Sequence, residues 1–244
     1  GEMVANINRE RDDLRNFMEI GEGTIMVSET EDIDWINNWK QFFHQFYIDD
    51  LLVIPSWEEV RPEDRDKKIL HIDPGTAFGT GMHETTQLCI RQLKKHITSE
   101  TELLDVGTGS GILSIISLMY GIRHAVGTDL DPCAVEAVRE NMEANRIAPE
   151  RFEMMIGNII TDKAVQDQVG YAKYDIVVAN ILADVLVPLT PVIVNQLKPG
   201  GIYITSGIID NKEQTVRDAV EAAGLEVIEV TYQGEWVNVT ARRK

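Results

Sequence analysis

The sequence predicts a doubly wound, Rossmann-like α/β fold with a C-terminal β-hairpin, preceded by a small N-terminal α+β region. Three observations carry this. From Glu102 onward, short apolar runs alternate with amphipathic stretches, the pattern of a parallel sheet covered on both faces. A glycine cluster, Asp105-Val106-Gly107-Thr108-Gly109-Ser110-Gly111, follows the first of those runs and opens a helix-like stretch. The last two apolar runs, residues 225–232 and 236–241, are separated only by Gln233-Gly234-Glu235, which is hairpin spacing.

In chain order, residues 3–18 read as a charged amphipathic helix and 24–27 as a short strand. The acidic, cap-rich stretch 29–34 leads into a helix over 33–43. Trp35, Trp39, Phe43 and Phe46 recur at helical spacing there, a stripe that suits core packing. Residues 51–55 and 68–72 read as strands joined by a charged loop. The alternating region then gives a strand at 103–106, a helix from about Ser110 to Gly121, and a strand at 125–128. Asp131-Pro132 supplies a cap and first-turn proline for a helix running to about Asn145. Strand 152–156, helix 162–168 and strand 175–179 follow. The next helix is expected to reach Leu197, where Pro199-Gly200-Gly201 stops it before a strand at 202–205. A last helix closes at Gly224.

Composition narrows the class. The 244 residues fit one large domain with a small appendage, and 43% hydrophobic content is that of an ordinary globular protein. The longest apolar stretch, 112–122, is interrupted by serines and a glycine, so no membrane span is expected. No signal-peptide core is visible, and a cytoplasmic location follows. Cys89 and Cys133 stand in neither metal-ligand nor redox spacing and read as inert, reduced core residues; no metal site is expected. A net charge of −17 repels phosphate backbones and argues against direct nucleic-acid binding; it either favours encounter with a basic partner or serves only to keep the protein soluble.

The chemistry concentrates at strand ends. The glycine turn lets backbone approach a ligand where side chains would collide. Asp129 ends the next strand, eighteen residues beyond Gly111, where an acid can accept hydrogen bonds from both hydroxyls of a ribose. A nucleoside-bearing cofactor fits both features. The dinucleotide fingerprint is G-x-G-x-x-G, whereas this chain has G-x-G-x-G preceded by an acid, so a nicotinamide-dependent oxidoreductase is the weaker reading. Asn180-Ile181-Leu182-Ala183 ends the fourth strand of the alternating region, at the edge where open α/β sheets place active sites; a cap for the following helix is the weaker alternative for Asn180.

The acid-glycine motif, Lys198-Pro199-Gly200-Gly201 and the hairpin together resemble class I methyltransferases. That likeness implies S-adenosylmethionine as cofactor and places Asp105 and the glycines at its methionine end and ribose. Amino-methylating members of the class often carry Asn-Pro-Pro-Tyr where this chain has Asn180-Ile181-Leu182-Ala183. Loss of the prolines and tyrosine removes a stacking partner for a planar base, and a tetrahedral amine fits better. Asp73-Pro74-Gly75-Thr76-Ala77-Phe78-Gly79-Thr80-Gly81-Met82-His83-Glu84-Thr85-Thr86 reads as a loop folded over the cofactor. With the Asn180 segment, the tryptophan helix and Ile54-Pro55-Ser56-Trp57-Glu58, it closely resembles the bacterial ribosomal protein L11 methyltransferase family, PrmA type, from about Ile33 to Lys244.

That resemblance implies methylation of lysine side-chain amines and the N-terminal amine of a basic ribosomal protein; another protein or a small-molecule amine is the alternative substrate. It implies cofactor contacts at Thr86, Asp105, Gly107, Gly109, Asp129, Asn158 and Asn180, with Asn180 also the catalytic candidate. The family usually has proline where this chain has Glu84. The stretch before the catalytic fold is shorter than the family's N-terminal substrate-recognition domain and reads as a truncated remnant. The expected division is a substrate-recognition remnant with connecting helix over 1–55 and a methyltransferase domain over 56–244. His83 reads as a residue that holds its loop closed in preference to a general base.

Overall fold

The computed structural model describes residues 44–72 and 84–244. The elements expected at 3–18, 24–27 and 33–43, and the loop segment 73–83 with His83, lie outside the described residues. The chain falls into two compact units, Gly1–Phe43 and His44–Lys244, and all the described residues belong to the second.

That unit opens with a small sheet of β1 (Phe46–Ile48), β2 (Leu51–Ile54) and β3 (Lys68–His71), in that order. Phe46, expected in the tryptophan stripe of a helix, instead starts a strand. Asp49 at φ 55° reverses the chain immediately after β1, and aspartate tolerates that left-handed backbone. The result is an antiparallel pairing with Tyr47 opposite Leu52. β2 is buried throughout and pairs with β3 in parallel, Leu51 opposite Lys68. The domain boundary expected at 55/56 therefore falls between two paired strands of one sheet.

Helix α1 (Glu84–His96) has no counterpart among the elements read from sequence, and Glu84, Thr85 and Thr86, expected in the loop, form its first turn. Its apolar period is diluted because Thr85, Thr86 and Gln92 are buried along with Leu88, Cys89, Ile90 and Leu93. The alternating region follows as expected: β4 (Glu102–Val106), α2 (Ile112–Met119), β5 (His124–Asp129), α3 (Cys133–Ala144), β6 (Phe152–Ile156), α4 (Lys163–Val169), β7 (Tyr174–Asn180), α5 (Ala183–Ile193), β8 (Leu197–Ile209), α6 (Glu213–Ala222) and the hairpin β9 (Leu225–Gln233) and β10 (Trp236–Arg243). Cys133, expected in the core, is exposed, whereas Cys89 is buried.

The strands form one seven-stranded sheet in the order β6-β5-β4-β7-β8-β10-β9. β6 through β8 run parallel, and β10 is antiparallel to both neighbours. Leu104, Val106, Val126, Val177 and Tyr203 from one face share a core with Val165 and Val169 of α4, Leu186 and Leu189 of α5, and Val216 and Val220 of α6. Strand side chains alternate, so Leu103, Asp105 and Val178 face the other side, which α1 and α2 cover.

One boundary moves for an identifiable reason. α5 ends at Ile193, short of Leu197, and β8 begins at Leu197. The carbonyls of Asn195 and Gln196 accept hydrogen bonds from Ala172 and Lys173, just ahead of β7 (2.8 and 3.0 Å), and are lost to any continuing helix.

Candidate functional site

Strand order reverses between β4 and β7, whose carboxyl ends lie side by side: β5 and β6 extend the sheet one way, β8 to β10 the other. Open α/β sheets bind ligands at such a crevice. The turn after β4 is pinned by its backbone, with Gly107 N donating to Thr128 O (2.8 Å) and the Thr108 hydroxyl to Asp105 O (2.9 Å). Gly107 sits at φ 73°, and a side chain there would come within 2.5 Å of Ile181 Cγ2. The turn thus requires glycine for both its backbone and its packing.

At the end of β5, Asp129 accepts from Gly109 N through Oδ2 (2.8 Å) and from Asp131 N through Oδ1 (2.9 Å). Two backbone donors fix its carboxylate while each oxygen keeps lone-pair capacity for a further donor. Beyond β6, Asn158 folds a turn by accepting from Ile160 N (3.0 Å). At the end of β7, the Asn180 amide nitrogen donates to the Thr86 hydroxyl (3.2 Å). That bond orients the amide, and Asn180 Oδ1 accepts no hydrogen bond among the described residues. Nor does the neighbouring Ile181 carbonyl, whose own N–H donates to Ser206 O (3.1 Å).

Gly107, Gly109, Asp129, Asn158 and Asn180 line a single cavity of about 580 Å³, within the range of small-molecule sites. Thr86 and Asp105 do not line it; each stands behind a residue or turn that does. Asp105 is 1% exposed and accepts from the Ser114 hydroxyl (2.8 Å). Burial pushes its carboxyl up to about 7, the Ser114 hydrogen bond opposes that shift, and the charge of Asp129 adds to it. The lining also includes Thr85, Leu130, Ile159, Ile160, Ile181, Leu182, Val185, Gly207 and Trp236. Leu130 and Ile181 were within reach of sequence, since each directly follows a strand-terminal polar residue. Nothing local marks Trp236, which arrives from the hairpin. Leu130 and Leu182 are 67% and 69% exposed at the cavity.

Among the described residues, Asp129 is the one ionisable group in this lining, and no lysine, arginine or histidine accompanies it. A pyrophosphate would find no cationic side chain there. A nucleoside carrying a positive charge and no phosphate fits: an acid for ribose hydroxyls, apolar Leu130, Ile159 and Ile160 for a base, and amides for polar edges.

The family described as ribosomal protein L11 methyltransferase (PrmA) matches residues 2–244. The chain is 54% identical over 245 residues to a ribosomal protein L11 methyltransferase of Agathobacter rectalis, covering 99% of this chain and 76% of that protein. It is 56% identical to one of Lachnospira eligens, covering 100% and 77%. The crystal structure of ribosomal protein L11 methylase from Lactobacillus delbrueckii subsp. bulgaricus superimposes with a TM-score of 0.73 at 30% identity, over 83% of this chain and 100% of that one.

Proposed function

Since this chain belongs to the ribosomal protein L11 methyltransferase (PrmA) family, we propose that it methylates lysine side-chain amines and the N-terminal amine of ribosomal protein L11. It is an S-adenosylmethionine-dependent methyltransferase with the class I fold. When bound, S-adenosylmethionine supplies a methyl group that a neutral nitrogen takes with its lone pair, the carbon–sulfur bond breaking with its electrons left on sulfur, to give a methylated ammonium and a thioether.

The observation that supports the amine assignment is the pair of oxygens, Asn180 Oδ1 and Ile181 O, that accept no hydrogen bond among the described residues and belong to two cavity-lining residues. Two acceptors on consecutive lining residues suit the two N–H groups of a neutral primary amine and leave its lone pair free for attack. A lysine amine has a reference pKa near 10.4, so it must lose a proton first. Leu182 and Val185, apolar and exposed at the cavity, disfavour the charged ammonium by removing water from it. Asp129 and Asn158 bind the cofactor nucleoside in this reading, the glycine turn admits it closely, and Thr86 and Asp105 act by fixing Asn180 and that turn. Recognition of the basic protein substrate falls to the N-terminal stretch. It was expected over 1–55; we assign it to the part before His44, a reading supported by the pairing of β1 and β2 with β3. The enzyme acts in the cytoplasm, where it meets its substrate.

The test is transfer of labelled methyl groups to purified L11 by the wild type and by Asn180→Ala. Leaving one N–H donor of the amine unsatisfied, about 1–3 kcal/mol, lowers single-turnover transfer by roughly 5- to 150-fold, while calorimetric cofactor affinity changes far less. No labelling of L11 by the wild type overturns the substrate. Normal turnover with only a cofactor defect in the variant overturns the role of Asn180.

A further inference from the structure

We propose that Gly207 is a positioning residue for methyl transfer, holding the Ile181 carbonyl where it accepts a hydrogen bond from the substrate amine. The proposal rests on reading Asn180 and Ile181 as paired acceptors and says what keeps the second of them in place.

β7 and β8 run in register from Ile176 opposite Ile202 to Asn180 opposite Ser206, and Ile181 N then donates to Ser206 O. On its other side, β8 pairs with β10 through Val237 opposite Ile208 and Val239 opposite Thr205. Ser206 and Gly207 together therefore oppose Asn238 alone, which is a β-bulge, a device that re-aims a strand beside a site. The Ser206 hydroxyl donates to Val237 O (3.1 Å) and fixes the bulge. Gly207, at φ 84°, faces the Ile181 peptide so closely that an added Cβ would lie 2.4 Å from its oxygen, 2.8 Å from its carbon and 3.1 Å from its nitrogen. These neighbours are backbone atoms and cannot swing aside as a side chain could. Gly107 presses on the Ile181 side chain from the first glycine turn. Ile181 is thereby held between Gly207 of β8 against its backbone and Gly107 of the turn after β4 against its side chain, its oxygen unengaged among the described residues.

A built-in control lies in the same strand. Gly200 has a similar φ of 77°, but an added Cβ there meets nothing within 4 Å. Alanine at either position carries the backbone strain of a left-handed residue; only at Gly207 does it displace Ile181. The experiment compares Gly207→Ala, Gly200→Ala, Asn180→Ala and wild type by single-turnover methyl transfer, cofactor calorimetry and thermal unfolding. The substrates are L11 peptides carrying unmodified, monomethylated or dimethylated lysine. Gly207→Ala is expected to slow transfer to the unmodified amine about 100-fold, the scale of a misplacement near 1 Å. Its cofactor Kd should stay within about threefold, and its melting point should fall below that of Gly200→Ala, which carries the backbone strain without the contact and transfers at the wild-type rate. The deficit should shrink as methyl groups replace the N–H donors that need acceptors, a gradation that general destabilisation does not produce. A wild-type rate in Gly207→Ala, an equal loss in Gly200→Ala, or a deficit identical across the amines overturns the proposal. A graded deficit in Asn180→Ala without one in Gly207→Ala removes only the role of Gly207, whereas no gradation in either removes the acceptor pair itself.

Discussion

A carboxyl group as enclosed as Asp105 is governed by its neighbours in place of water. It faces Ser114 on α2, with Cys89 on α1 and Asp129 at the end of β5 as the titratable groups that sense it. Its ordinary value is 3.8, and burial raises it to about 7 in the fold. Between those values the folded chain holds a proton that the unfolded chain has released. The stability Asp105 contributes is therefore complete below about pH 4 and is lost as pH rises through about 7. The shift corresponds to at most about 4 kcal/mol. Asp105→Asn stays neutral at every pH and should abolish that slope. Urea unfolding at pH 5 and pH 8 should show the wild type losing roughly 1–3 kcal/mol relative to the variant; parallel behaviour of the two proteins would remove Asp105 as the source. Sequence identified this residue as part of a cofactor motif but not the direction of its side chain. The motif is read from the backbone turn, whereas the side chain follows strand alternation toward α2.

At the scale of elements, the small sheet is joined to the catalytic sheet's flank through Asn145, the residue that ends α3. Its side chain accepts from His71 N on β3 (2.8 Å), donates back to His71 O, and donates to Asn141 O at the end of its own helix (2.7 Å). Asn145→Ala should lower stability by about 1–3 kcal/mol, the cost of backbone groups left without partners. Its activity at low temperature should be nearly normal, since no cavity-lining residue lies on β3. Chemical denaturation with a parallel activity assay checks both, and a change below about 0.5 kcal/mol would mean that water replaces the side chain. Sequence anticipated the helix end at Asn145 but not its second role, because pairing with β3 spans 74 residues of chain. The same limit explains α1, where buried threonines and a glutamine hide the helical period. It explains Phe46 as well, whose spacing matched a helix while a two-aspartate turn assigned it to a strand.

For the whole molecule, the net charge of −17 and the cavity's distance along the chain from its beginning suggest a division of labour. Every described lining residue lies at Thr85 or beyond. Deleting residues 1–43, after a melting curve confirms that the remainder folds, should leave cofactor Kd unchanged. It should lower kcat/KM on L11 by about 100-fold, equivalent to about 2.7 kcal/mol of docking free energy. Undiminished kcat/KM would move substrate docking onto the catalytic unit. What the sequence determined by itself was the alternating α/β order, the glycine turn and the polar residues closing β5 and β7. Each of these is a property of one short stretch, its hydrophobic period or its position at a strand end. Tertiary structure alone decided that the Thr86 hydroxyl meets Asn180, 94 residues away, that Trp236 reaches the cavity from the hairpin, and that a bulge sets Gly207 against Ile181. Those are contacts between distant segments, and they depend on strand register. A shift of one residue turns every side chain to the opposite face, and no local pattern records which register the packed sheet adopts.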